Sequence, residues 1–104
     1  MKMVVKTEYR DNSATIFIEG NIDTSNSSDL YQFFQEVLDK NTITSVNLDL
    51  KNVISINSSG IGKILKFYKY IDEIGGEFKI IHAGERVMSL LKDINLDKII
   101  SVSK

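Results

Sequence analysis

The sequence predicts a single α/β domain. Its sheet is mixed, with an antiparallel hairpin first and parallel strands after it, and its helices lie mainly on one face. Three observations carry this reading. Alternating apolar residues mark the strands. Apolar residues at i, i+3, i+4 and i+7 mark the helices. After an opening pair of strands the two kinds of element alternate, which favours parallel pairing through right-handed crossovers. The 104 residues suit one domain, expected to span 1–104.

Met3, Val5, Thr7 and Tyr9 alternate with Val4, Lys6 and Glu8 and form the first expected strand. Asp11-Asn12-Ser13 supplies a polar turn, and Ala14 to Glu19 is the second strand. Gly20-Asn21-Ile22-Asp23 ends it, and Thr24-Ser25-Asn26-Ser27-Ser28 is a run of helix N-cap residues. Leu30, Phe33, Phe34, Val37 and Leu38 then predict a first helix ending near Lys40-Asn41. The third strand is read as Ser45 to Leu50, followed by a connector from Lys51 to Ile56. The second helix starts after Asn57, buries Ile61, Ile64, Leu65, Tyr68 and Ile71, and stops at Gly75-Gly76. Glu77 to His82 is the fourth strand, with His82 on the alternation face of Phe78 and Ile80. Glu85 to Asp93 is a third helix, with Val87, Leu90, Leu91 and Ile94 inward, and Lys98 to Ser103 can form a last strand.

Composition narrows function by exclusion. Apolar residues make up 42% and charged residues 26%, with 13 basic and 14 acidic side chains for a net charge of −1. The charges are interspersed, so there is no basic stripe of the kind that tracks nucleic acid. Lys63, Lys66 and Lys69 recur at helical spacing but run into Asp72 and Glu73, as on a solvated face. The chain has no cysteine and one histidine, which excludes a thiolate nucleophile and any multi-histidine metal site within one chain. Met1-Lys2-Met3-Val4-Val5-Lys6 is too short and too charged for a signal peptide. No apolar run approaches the roughly 20 residues of a membrane span, so the expected compartment is the cytoplasm.

Enzyme motifs fail in turn. Gly60-Ile61-Gly62 lacks the third glycine of a dinucleotide-binding turn, and no Lys-Ser or Lys-Thr follows a glycine-rich loop. Ser58 and Ser59 are not in a nucleophile elbow. The expectation is a protein with no catalysis, cofactor or metal of its own.

What remains is Asn57-Ser58-Ser59-Gly60-Ile61-Gly62, two hydroxyls and two glycines where a loop becomes a helix. Backbone N–H groups and the positive end of the helix dipole meet there, so a phosphoryl group would find donors. The same residues also read as a simple cap and tight turn. Together with Asn47-Leu48-Asp49-Leu50, Val53-Ile54-Ser55-Ile56, the Gly20-x-Ile22-Asp23 turn and Gly75-Gly76, this loop resembles the STAS domain family. The resemblance covers nearly the whole chain and is nearest to the bacterial anti-sigma factor antagonists.

That resemblance implies a role. The unphosphorylated antagonist binds an anti-sigma factor, often itself a serine kinase, and so releases a sigma factor to act in transcription. Phosphorylation of the first serine abolishes binding, and a serine phosphatase restores it. The matching residue is Ser58. The expected partner surface comprises Asp23, Thr24, Asn57, Ser58, Ser59, Gly60, Ile61 and Gly62, because loops after the carboxyl ends of parallel strands gather on one edge. Gly60 and Gly62 leave room for close approach or serve local backbone geometry, and the Ser59 hydroxyl is expected to serve the helix start. Tyr70 and Met88, off the apolar stripes, would extend the patch. The chain departs from the family at Asn57, where the usual residue is Asp; the cap survives, and a negative charge beside Ser58 is lost. Two alternatives remain open: a STAS adaptor that is never phosphorylated, and a STAS domain that senses a small ligand or nucleotide.

Overall fold

The computed structural model describes residues 3–40 and 42–104. The elements are β1 (Val4–Arg10), β2 (Ser13–Ile22), α1 (Ser27–Leu38), β3 (Ser45–Ile56), α2 (Ser58–Glu73), β4 (Glu77–Ile81), α3 (Glu85–Asp93) and β5 (Ser101–Val102), with a 3-10 turn at Leu96–Lys98. The five strands lie in chain order across one sheet. β1 runs antiparallel to β2, and β2, β3, β4 and β5 are mutually parallel. Each parallel connection steps to the next neighbour in the same direction, so right-handed crossovers place all three helices on one face. Burial follows. Ala14, Ile16 and Ile18 of β2 are buried while Ser13, Thr15 and Phe17 between them are half-buried, and in β4 Phe78 and Ile80 are buried between exposed Glu77 and Lys79.

The expected ends of two strands are overturned. β2 continues to Ile22 and β3 to Ile56, so Lys51–Ile56 is strand rather than connector. The register explains why alternation hid this. Phe17 pairs with Asp49 but Glu19 with Asn52, and Gly20 pairs with Val53 but Asn21 with Ser55. At both places β3 spends one residue more than β2, as in a β-bulge. From Leu50 onward the buried residues of β3 therefore fall at Leu50, Val53 and Ile56, a spacing that a period of two does not detect.

The helices differ in phase from their predicted stripes. α1 ends at Leu38, and Asn41 lies outside the described residues, as do Met1 and Lys2. α1 buries Leu30, Phe34 and Val37, with Phe33 and Leu38 half-buried. α2 buries Gly60, Ile61, Ile64, Phe67 and Ile71, while Leu65 and Tyr68 are half-buried. Phe67 is the member the stripe omitted. Its ring stacks on Phe34 with centroids 4.2 Å apart and meets Phe78 edge-on at 5.3 Å, joining α1, α2 and β4. α3 buries Val87, Met88 and Leu91; Met88 is only 7% exposed, so it does not extend a surface patch. Ile94 follows the last helical residue and is 46% exposed, contrary to its place in the expected inward face.

His82 also departs from the expected face. Its φ is +56°, a left-handed conformation uncommon outside glycine. The reversal breaks the alternation with Phe78 and Ile80 and brings His82 Nδ1 to 2.8 Å from Oδ2 of Asp49. Asp49, expected on the polar sheet face, is buried. Its other oxygen, Oδ1, accepts the Lys51 N–H at 2.9 Å, so the carboxylate is satisfied within the fold. The final strand is cut to two residues because Leu96 and Ile100 are buried through the 3-10 turn after left-handed Asn95. Among the described residues no helix is long and apolar enough to cross a membrane.

Candidate functional site

Two turns converge at the carboxyl edge of the parallel strands. β2 and β3 end side by side, with Ile22 paired to Ile56. The chain leaves β3 through Asn57, whose N–H donates to the Ile22 carbonyl at 3.0 Å. Asn57 caps α2: its backbone is extended and its Oδ1 accepts the Gly60 N–H at 3.1 Å. Because that N–H can only donate, the atom facing it is oxygen, which leaves Nδ2 to donate to Thr24 Oγ1 at 3.0 Å. Asn57 thus closes the helix start and ties it to the β2–α1 turn.

The Thr24–Ser28 run builds that turn more than it caps a helix. Asn26 precedes α1 but makes no side-chain cap bond. Its Oδ1 accepts the Asp23 N–H at 2.9 Å and its Nδ2 donates to the Asn21 carbonyl at 2.8 Å. Asp23 Oδ1 accepts the Ser25 N–H at 2.8 Å and the Ser25 hydroxyl at 2.5 Å. The Ser25 hydroxyl is the chief reason the Asp23 carboxyl is held below its ordinary value. With the folded value depressed, the stabilisation is present above the unfolded value and is lost as pH falls through the lowered one. Ser25→Ala is expected to raise the Asp23 midpoint, measured by NMR titration of its carboxyl carbon; an unmoved midpoint would remove the hydroxyl as the cause.

Ser27 and Ser59 form the second tie. Their hydroxyl oxygens are 2.8 Å apart, joining the first turns of α1 and α2. The Ser59 hydroxyl is therefore spent on the neighbouring helix, not on its own helix start. Ser27 is buried. Nothing in a run of cap residues singles it out, and sequence reading passed over it.

Ser58 is left over. Its side chain is exposed, and among the described residues its hydroxyl has no hydrogen-bond partner. The first turn of α2 carries no acidic residue. Beside Ser58 opens a groove of about 250 Å³ lined by Ile56, Asn57, Ser58, Ile61, Leu90 and Ile94. Half-buried Leu90 and exposed Ile94, expected in the core, form its α3 wall.

The glycines separate in role. A Cβ on Gly60 would stand 2.4 Å from Ile22 Cγ2 and 3.0 Å from Ile56 Cγ2, so Gly60 serves the packing of helix on sheet. A Cβ on Gly62 would meet nothing within 4 Å, and Gly62 is exposed. Ile61 is 9% exposed and lines the groove. Thr24, Asn57, Ser58 and Gly62 are exposed and Asp23 is half-buried. Tyr70 is exposed but lies on α2 roughly 18 Å along the helix from Ser58, against the far end of α1. Among the described residues no group of three or more potential ligand side chains could hold a metal ion.

The STAS domain family model matches residues 4–104. The chain belongs to the STAS domain family. An anti-sigma F factor antagonist of Paenibacillus polymyxa is 28% identical over 102 residues, 98% of this chain and 87% of that one. This STAS domain superposes on the crystal structure of a candidate anti-sigma factor antagonist from Thermotoga maritima with a TM-score of 0.88 at 24% identity, covering 96% of this chain and 86% of that one. It superposes on Bacillus SpoIIAA, a cell fate determinant solved in its phosphorylated form, with a TM-score of 0.75 at 12% identity, covering 97% and 92% of the two chains. These superpositions establish a shared fold.

Proposed function

We propose that this STAS domain is an anti-sigma factor antagonist whose binding is switched by phosphorylation of Ser58. One observation carries the reading: Ser58 is exposed at the first position of α2 with a hydroxyl that has no hydrogen-bond partner among the described residues, and, unlike the equally exposed Ser28, it lines the apolar groove. The partner is an anti-sigma factor that is also a serine kinase, and a serine phosphatase reverses the modification. The domain acts in the cytoplasm, performs no catalysis and touches neither nucleic acid nor membrane.

The physics supports a switch at this point. Phosphorylation adds roughly −1.5 to −2 charges. The start of α2 tolerates them through its dipole, and with Asn57 in place of an Asp no carboxylate opposes them from the adjoining position. The fold therefore survives while the contact does not. A partner side chain seated against Ile56, Ile61, Leu90 and Ile94 would have to desolvate the dianion at the groove's edge. Asp23, Thr24 and Asn57 form the polar border of the same surface, and Gly62 leaves space for a close partner backbone.

Three variants test this. Ser58→Ala is expected to melt within about 0.5 kcal/mol of the parent, because Asn57 and not Ser58 is the cap. It should bind the anti-sigma factor normally and gain no phosphate from it in the presence of ATP, judged by intact mass. Ser58→Glu should bind more weakly, and Ser59→Ala should still accept phosphate. Equal binding by Ser58→Ala and Ser58→Glu, with no phosphate gained by the parent, would point to an unmodified adaptor.

A further inference from the structure

A second concave surface lies across the Asp23–Asn26 turn from Ser58. It is a groove of about 330 Å³ lined by Met3, Asn26, Asp29, Gln32, Phe33 and Glu36. Its floor is apolar, made of half-buried Met3 and Phe33. Its rim is of one sign. Asp29 and Glu36 are the only charged residues of α1, and both are exposed. They stand seven residues apart, two turns and roughly 10 Å along the helix.

Among the described residues the cations nearest α1 are directed elsewhere. Lys40 sits over the Tyr9 ring at 5.0 Å, and Lys63 and Lys66 sit over the Tyr31 ring at 5.8 and 4.7 Å. Among the described residues neither Asp29 nor Glu36 enters an ion pair. The field of Glu36 reaches Tyr9, whose phenol is pushed up by burial first and by this carboxylate second.

From this combination we infer that the groove between Met3 and α1 docks a cationic amphipathic helix of a partner protein. Apolar side chains of that helix fill the floor over Met3 and Phe33. Lysines or arginines two turns apart on it match the spacing of Asp29 and Glu36. Charge complementarity decides against an anionic partner or an anionic lipid surface, since either would meet two carboxylates that no described residue pairs. The inference does not depend on Ser58 being phosphorylated.

The test uses the intact chain labelled with ¹⁵N and a synthetic leucine–lysine amphipathic peptide of roughly 18 residues. The same peptide with glutamate in place of lysine is the control. Addition of the lysine peptide is expected to shift amides of Met3, Asp29, Gln32, Phe33 and Glu36, and the glutamate peptide to shift none. Asp29→Lys with Glu36→Lys should weaken binding by about tenfold or more while the amide spectrum remains that of the folded domain, and Ser58→Glu should leave it unaltered. Equal binding of both peptides, shifts confined to Leu90 and Ile94, or indifference to the two lysine substitutions would overturn the proposal. So would sedimentation of the chain alone as a dimer that those substitutions dissolve, since the occupant would then be a second copy.

Discussion

Phe67→Ala is expected to destabilise the domain by about 3–5 kcal/mol, the largest effect of any single truncation here. Its ring is 0% exposed, stacked on Phe34 and edge-on to Phe78, so removing it withdraws one wall from two aromatic contacts. The cavity opens between two helices and the sheet, where no single element can move in to fill it. A domain of this size has roughly 5–15 kcal/mol in all, so about a fifth or more of its stability would go. Each kcal/mol moves the midpoint by roughly 4–8 °C. Denaturant melts should show the loss, and a change below about 1 kcal/mol would contradict the packing described. Leu90→Ala should cost less than Phe67→Ala, because Leu90 is half-buried at the groove and not in the core.

Gly60→Ala is the second large effect, expected at about 1–3 kcal/mol of destabilisation. The added methyl would drive into Ile22 and Ile56, both buried at the ends of paired strands. Either α2 lifts from the sheet or β2 and β3 spread, and both movements disturb the Asn57–Thr24 tie. The overpacking works against the gain of roughly 1 kcal/mol that alanine otherwise brings to a helix interior. Gly62→Ala two residues later should show that gain alone, since its Cβ meets nothing. Melts of the pair should therefore move in opposite directions. If Gly62→Ala is stabilising yet binds the anti-sigma factor less well, the open space above it is used by the partner.

Most of the architecture was legible because alternation and helical periodicity are properties of local sequence, and each was strong where one face is buried. Legibility failed where geometry departs from the simple period. Two extra residues in β3 hid its second half, and left-handed His82 reversed a face that Phe78 and Ile80 had indicated. The buried set Gly60, Ile61, Ile64, Phe67 and Ile71 replaces the stripe through Leu65 and Tyr68 because α2 packs on both α1 and the sheet, with Phe67 against Phe34 and Phe78. At the site, the Asn57 cap could be read from residue type and position. The Ser27–Ser59 tie and the α3 wall of the groove join residues far apart in the chain, and no local pattern encodes them. Gly60 shows the limit most plainly: two glycines in one motif read alike, yet one abuts the core and the other faces open space.

A phosphate on Ser58 is expected to abolish partner binding without unfolding the domain. The direct measurement is the calorimetric affinity of the anti-sigma factor for the intact chain carrying serine, and then phosphoserine introduced during translation, at position 58. Near-identical melting curves are expected for the two forms, with an affinity lower by about a hundredfold or more for the phosphorylated one. Equal affinities for the two forms would contradict it.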